Sequence, residues 1–188
     1  MRILLAAIIS EGLLLALALA LAYFANLTID WRWSQRAVIQ GLALTIPPLL
    51  GNHILWNYSD RNPHSIYGRF SREIIVPLCR HMRLGLAAAV AILSGICEEL
   101  FFRGSLNYLC ISYLGVISAC IVTSILFAAM HFIGNFKRYG EMIPLYTAMG
   151  VYLWFAHFCT GSLAAVAILH GAYNFIVITA VRMRASGT

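Results

Sequence analysis

Charged residues are scarce in this sequence, 11% of the chain where a soluble domain carries about 25%, and only seven of them are acidic. Hydrophobic residues fill 61% instead, which excludes an ordinary water-soluble globule. No Lys/Arg run with interleaved aromatics is present, so the net charge of +6 does not describe a nucleic-acid binder; basic residues between apolar stretches suit an anionic lipid surface. The five cysteines (Cys79, Cys97, Cys110, Cys120, Cys159) include no CxxC pair and read as small apolar packing residues rather than disulfide or metal partners. Repeats, low-complexity tracts and linkers are missing as well, so residues 1–188 read as one membrane domain.

What the chain does have is apolar stretches of about 20 residues, the length of helix that crosses a hydrocarbon core of about 30 Å. The expectation is an all-α, polytopic transmembrane bundle of about six spans. The first covers 3–25; a cleaved signal peptide is its rival, since Ala18-Leu19-Ala20 resembles a cleavage site, but the apolar region is too long. The second covers 37–56 and must be kinked or interrupted at Pro47-Pro48. A polar, basic stretch, 57–83, follows, with a short interfacial helix around 70–80. A third span starts near Leu84, a fourth ends near Phe132, and the fifth and sixth cover 142–159 and 162–181. In this layout ten of the thirteen basic residues, from Arg2 and the 57–83 loop to Lys137, Arg138, Arg182 and Arg184, fall on one side, which makes both termini cytoplasmic.

Three of the seven acids, Glu11, Glu98 and Glu99, lie inside apolar stretches, where an ionised group costs several kcal/mol. Glu11 has no polar companion at helical spacing and reads as structural or snorkelling. Arg103 follows Glu99 by four residues and shares its helical face, so Glu99 is neutralised locally. Glu98 is rotated by about 100° and left free for a group on another helix. Such groups exist: His131 ends the Phe127-Ala-Ala-Met-His131 run, and His170 and Asn174 stand one turn apart in the last span. Taken singly, each has a structural explanation, as interhelical hydrogen bonding or an ion pair. Jointly, on three spans of so apolar a chain, they point to a reactive site.

The ordered elements Glu98-Glu99-x-x-x-Arg103, Phe127-x-x-x-His131 and His170-x-x-x-Asn174 resemble the three signature motifs of the CPBP family, the CAAX proteases and bacteriocin-processing enzymes also called the ABI family. The resemblance covers 84–181, about half the chain, as a catalytic core. It implies a glutamate-type intramembrane endopeptidase without metal or other cofactor. Glu98 would be the general base, His131 would help hold the attacking water, and His170 with Asn174 would form the oxyanion hole. Glu99, Arg103 and Phe127 would be structural at the site. Substrates would be membrane-associated proteins or peptides, such as prenylated CAAX proteins, bacteriocin leaders or sorting tails, met in a prokaryotic plasma membrane. Cys97 and Ser94 adjoin the motif without belonging to it.

Two rival readings remain. In one, Glu98, His131 and His170 bind zinc as a metalloprotease, although no HExxH motif is present. In the other the chain is a non-catalytic immunity or scaffold protein. A geometric difficulty also remains: a turn near Cys110 would put Glu98 and His131 at depths differing by about 13 Å, unless part of 104–116 tilts or lies along the interface.

Overall fold

The computed structural model describes residues 2–186, the side chains of residues 2–4, 6 and 186 excepted. The Arg2 side chain, counted above in the charge asymmetry, lies outside the described ones. Every regular element among the described residues is helical: α1 (Arg2–Phe24), α2 (Gln35–Leu44), α3 (Ile46–Arg61), α4 (Ile66–Phe70), α5 (Val76–Arg80), α6 (Leu84–Glu99), α7 (Asn107–Leu114), α8 (Val116–Met130), α9 (Phe136–Tyr139), α10 (Ile143–Thr160) and α11 (Leu163–Ser186). Wider π turns join α4 to α5 (Ser71–Ile75) and α6 to α7 (Leu100–Leu106), so residues 66–80 and 84–114 are continuous helical rods. The protein is a helical membrane bundle, integral and multi-pass.

Among the described residues five segments are long and apolar enough to cross a bilayer: Ala7–Phe24, Gln35–Arg61, Leu84–Leu114, Phe136–Thr160 and Leu163–Ala185. The expected fourth span is α8, whose 15 residues reach about 22 Å. Its lipid-facing side is legible in exposure. Ile117, Ile121 and Ile125 face outward at one-turn spacing, while Ala119, Thr123 and Phe127 are buried. The Pro47-Pro48 break lies at Thr45, which ends α2 and caps α3, placing the prolines in the first turn where a missing N–H costs least.

The chain does not turn near Cys110. The rod runs on to Leu114 and reverses at Gly115, whose φ of 78° lies in the left-handed region that glycine tolerates. Glu98 then lies seventeen residues before the turn and His131 sixteen after it, so the two share a depth without any interfacial segment.

Apolar burial does little to drive helix association in lipid, and close approach through small residues takes over. The helix α6 packs most extensively on α11, at Gly95 and Gly171. A methyl group on Gly95 would sit 2.7 Å from the Ala167 carbonyl oxygen and 2.8 Å from the Gly171 nitrogen. On Gly41 of α2 it would meet the Ala165 carbonyl oxygen of α11 at 2.5 Å, and on Gly150 of α10 it would meet Ser124 of α8 at 3.0 Å. Phe102, Phe127, Leu153, Ala156, Val166 and Leu169 fill the space between these contacts.

Outside the spans, the 66–80 rod is clasped to α9. Tyr139 donates a hydrogen bond to Glu73, Arg138 pairs with the same carboxylate oxygen at 2.5 Å, and Phe70 packs edge-on against Tyr139. The Tyr139 hydrogen bond, helped by the charges of Arg138 and Arg69, holds the Glu73 carboxyl below the ordinary glutamate range. A depressed carboxylate stabilises the fold above its unfolded pKa and stops doing so as pH falls through its folded value. The clasp is therefore expected to hold at neutral pH and to loosen as pH drops below about 4.3. Hydrogen exchange over residues 66–80 should rise in that acid window in the wild type. In Glu73→Gln it should be high already at neutral pH and change little with acid.

Candidate active site

Helix α6 delivers adjacent glutamates to two different neighbours, as their 100° separation requires. Glu99 is fully buried, and its Oε1 accepts from Arg103 Nη1 at 3.0 Å and from His170 Nδ1 at 2.7 Å. The Arg103 pair realises the four-residue spacing. Arg103 is itself 1% exposed, donates from Nη2 to the Gly150 carbonyl at 2.9 Å, and lies with its guanidinium carbon 4.6 Å from the Phe127 ring centroid. A buried arginine needs this much compensation. The π turn begins directly after Glu99 and carries Arg103, in keeping with the tendency of such turns to sit at functional sites.

Glu98 is 6% exposed, and its buried Oε2 has no hydrogen-bond partner. Opposite stands His131, with Nε2 3.9 Å from that oxygen. His131 Nδ1 lies 2.8 Å from the Phe127 carbonyl. A carbonyl only accepts, so Nδ1 carries a proton and Nε2 is the ring atom turned toward Glu98. Phe127 and Tyr146 flank the imidazole, with centroids at 4.8 and 5.0 Å. Phe127 also stands edge-on to the His170 ring at 5.9 Å, so it separates and orients both histidines.

The chains of α6 and α11 run in opposite directions past the Gly95–Gly171 contact. On one side of it Glu99 meets His170; on the other Asn174 Nδ2 donates to Ser94 Oγ at 2.8 Å. All seven residues singled out in the sequence therefore gather around one place. Their pairings hold two surprises. Glu99 anchors His170 as well as Arg103, and Asn174 is positioned by Ser94; neither link is local in sequence, and no spacing rule could have found them. Tyr146 and the Gly150 carbonyl were missed for the same reason. Among the described residues, no three His, Cys, Asp or Glu side chains are grouped to hold a metal ion.

Fold and site together define a polytopic membrane protein with a largely buried carboxylate–imidazole–carboxamide centre at the meeting of α6, α8 and α11. A family model described as type II CAAX prenyl endopeptidase Rce1-like matches residues 80–176, and the chain belongs to that family. The matched stretch contains every site residue named so far. Searches of curated proteins and of solved structures found no match. Membership in this family of CAAX endopeptidases makes the protein a membrane protease.

Proposed function

We propose that the protein is a glutamate-dependent intramembrane endopeptidase in which Glu98 activates water. The observation that carries this reading is the facing of Glu98 Oε2 and His131 Nε2 across 3.9 Å. An ionised carboxylate and a neutral ring nitrogen are both acceptors, and they repel unless a donor lies between them. Water has two protons to give. Placed about 2.8 Å from each atom, it donates one to Glu98 and one to His131, and its lone pairs stay free to attack a carbonyl carbon. As the C–O bond forms, Glu98 takes the water proton; it later returns it to the leaving amine, whose C–N bond breaks.

The charge that develops on the carbonyl oxygen falls to α11. Asn174 has two amide protons, one given to Ser94, the other free for the oxyanion. His170 has Nδ1–H committed to Glu99, so Nε2 is the atom that meets substrate; in the imidazolium form it donates there, its charge balanced by Glu99. Glu99, Arg103 and Phe127 hold these groups. In this reading residues 84–181 are the catalytic core of a single domain, both termini are cytoplasmic, and the enzyme works in a prokaryotic plasma membrane on a membrane-associated protein or peptide such as a prenylated CAAX tail.

The test is cleavage of a farnesylated CAAX peptide by the purified protein in liposomes, with and without exhaustive chelation. Cleavage that survives chelation is expected. Loss of activity restored by zinc would transfer the site to the metalloprotease reading, and failure to cleave that peptide or any captured membrane substrate would favour the scaffold reading. A second measurement addresses Asn174. Asn174→Ala should lower kcat by about 10²-fold with KM little changed, the pattern of a donor used only in the transition state. A change confined to KM would make Asn174 a binding residue.

A further inference from the structure

Glu11 is a buried acid that the mechanism above does not use. It lies on α1, outside the family match, one turn inside the first span. Its Oε2 is buried without a hydrogen-bond partner, although isolated polar atoms are costly at that depth. The packing of α1 says where this oxygen faces. Leu14 and Ala18 are the buried residues among the described side chains of the helix, and the Ala18 carbonyl accepts from Ser105 Oγ, in the π turn, at 2.7 Å. Glu11 precedes Leu14 by three residues and Ala18 by seven, so it shares their face.

The first span and the 84–114 rod are separated by one returning span and run in the same direction. Stepping back seven residues on each from the Ala18–Ser105 contact reaches Glu11 on one and Glu98 on the other. Glu11 accordingly lies within electrostatic reach of Glu98 and His170, and Cys97 lies within reach of Glu11. The groups facing it are thus Glu98 and Cys97 from α6 and His170 from α11. Arg103, on the π turn, is spent on Glu99 and Gly150.

We propose that Glu11 is a positioning residue of the active site, sharing a single negative charge with Glu98 so that Glu11 keeps its proton while Glu98 is ionised. Two carboxylates level with each other in a buried setting do not both ionise cheaply. Glu98 takes the charge because it feels the Arg103 guanidinium as well as His170, whereas among the described residues His170 is the one basic neighbour in reach of Glu11. A protonated Glu11 leaves the field at Glu98 that of a lone base. Once it ionises, a second negative charge stands beside the developing oxyanion and slows the reaction. No bond to substrate is involved.

The role of Glu98 as base belongs to the proposed mechanism on which this inference rests, so the first measurement is independent of catalysis. Infrared titration of the protonated-carboxyl stretch is made on the full-length protein in liposomes, with the Glu11 band assigned by its loss in Glu11→Gln. In Glu98→Gln the neighbouring charge is gone, and the Glu11 band should titrate about one pH unit or more below its wild-type midpoint. An unchanged midpoint overturns the proposal whatever Glu98 does in catalysis.

The second measurement is the pH profile of kcat/KM on the cleaved peptide. Glu11→Gln should shift the alkaline limb upward by about one unit or more, and Glu11→Asp should keep it in place. A merely structural glutamate would change thermal stability and scale the whole profile without altering its shape, and that outcome also overturns the proposal. If the infrared shift is found while Glu98→Gln still cleaves normally, the coupling stands and the assignment of the base falls.

Discussion

Glu98→Gln is expected to fold as the wild type does and to lose at least about 10³-fold in turnover. Both halves follow from the surroundings of the side chain. The Glu98 Oε2 atom is buried without a hydrogen bond, and the nearest basic group is 3.9 Å away, beyond hydrogen-bond length. Exchanging that oxygen for an amide removes a buried charge and breaks no hydrogen bond, so thermal stability should be unchanged or higher. The amide cannot take a proton from water. It also turns a donor toward His131 Nε2 and competes for the place the water would hold. Single-turnover cleavage and thermal unfolding, measured on the same liposome or detergent preparation, check both halves together. A variant with wild-type turnover would remove Glu98 from the mechanism.

The neighbouring residue should behave in the opposite way. Glu99→Gln strips the compensating charge from an arginine that is 1% exposed, and removal of one partner of such a buried pair costs about 3–5 kcal/mol. Replacing the arginine as well, in Glu99→Gln with Arg103→Met, should recover most of that loss, because the penalty comes from the stranded charge rather than from the bond itself. Additive losses in the double variant would show that the two side chains are energetically independent. Helical spacing alone would leave Glu99 a purely structural residue, with activity intact in whatever folds. The 2.7 Å contact with His170 changes that expectation. Without the carboxylate the imidazole loses the partner that fixes its tautomer and orientation, so turnover per folded molecule should drop by about tenfold or more. Loss of stability without loss of turnover in the folded fraction would mean that His170 does not depend on Glu99.

These two variants separate what is local from what is not. The membrane character was legible because it is a property of composition: too few charges and too many apolar residues for water, in lengths matched to a bilayer. The Glu99–Arg103 pair was legible because four residues along a helix is one turn, whatever surrounds it. The separation of Glu98 from that pair, and the alignment of His170 with Asn174, are likewise single-helix geometry. Gathering these residues into one site was proposed from the ordered motifs, and in the fold Glu98 faces His131, Glu99 meets His170, and Asn174 meets Ser94.

Contacts between helices were another matter. Whether His131 reaches the depth of Glu98 depends on where the chain turns, and only the reversal at Gly115 settles it. Whether His170 meets Glu98 or Glu99 depends on the register of α11 against α6, set by the approach of Gly95 to Gly171. Asn174 finds Ser94 through that same register, and Glu11, which has no polar companion along its own helix, stands level with Glu98 because Ala18 packs at Ser105. A helix carries its own periodicity in its sequence. The sliding and rotation of one helix against another are chosen by a few close contacts between small residues, whose partners lie 76 and 87 positions apart in the chain, and only the folded structure brings them together.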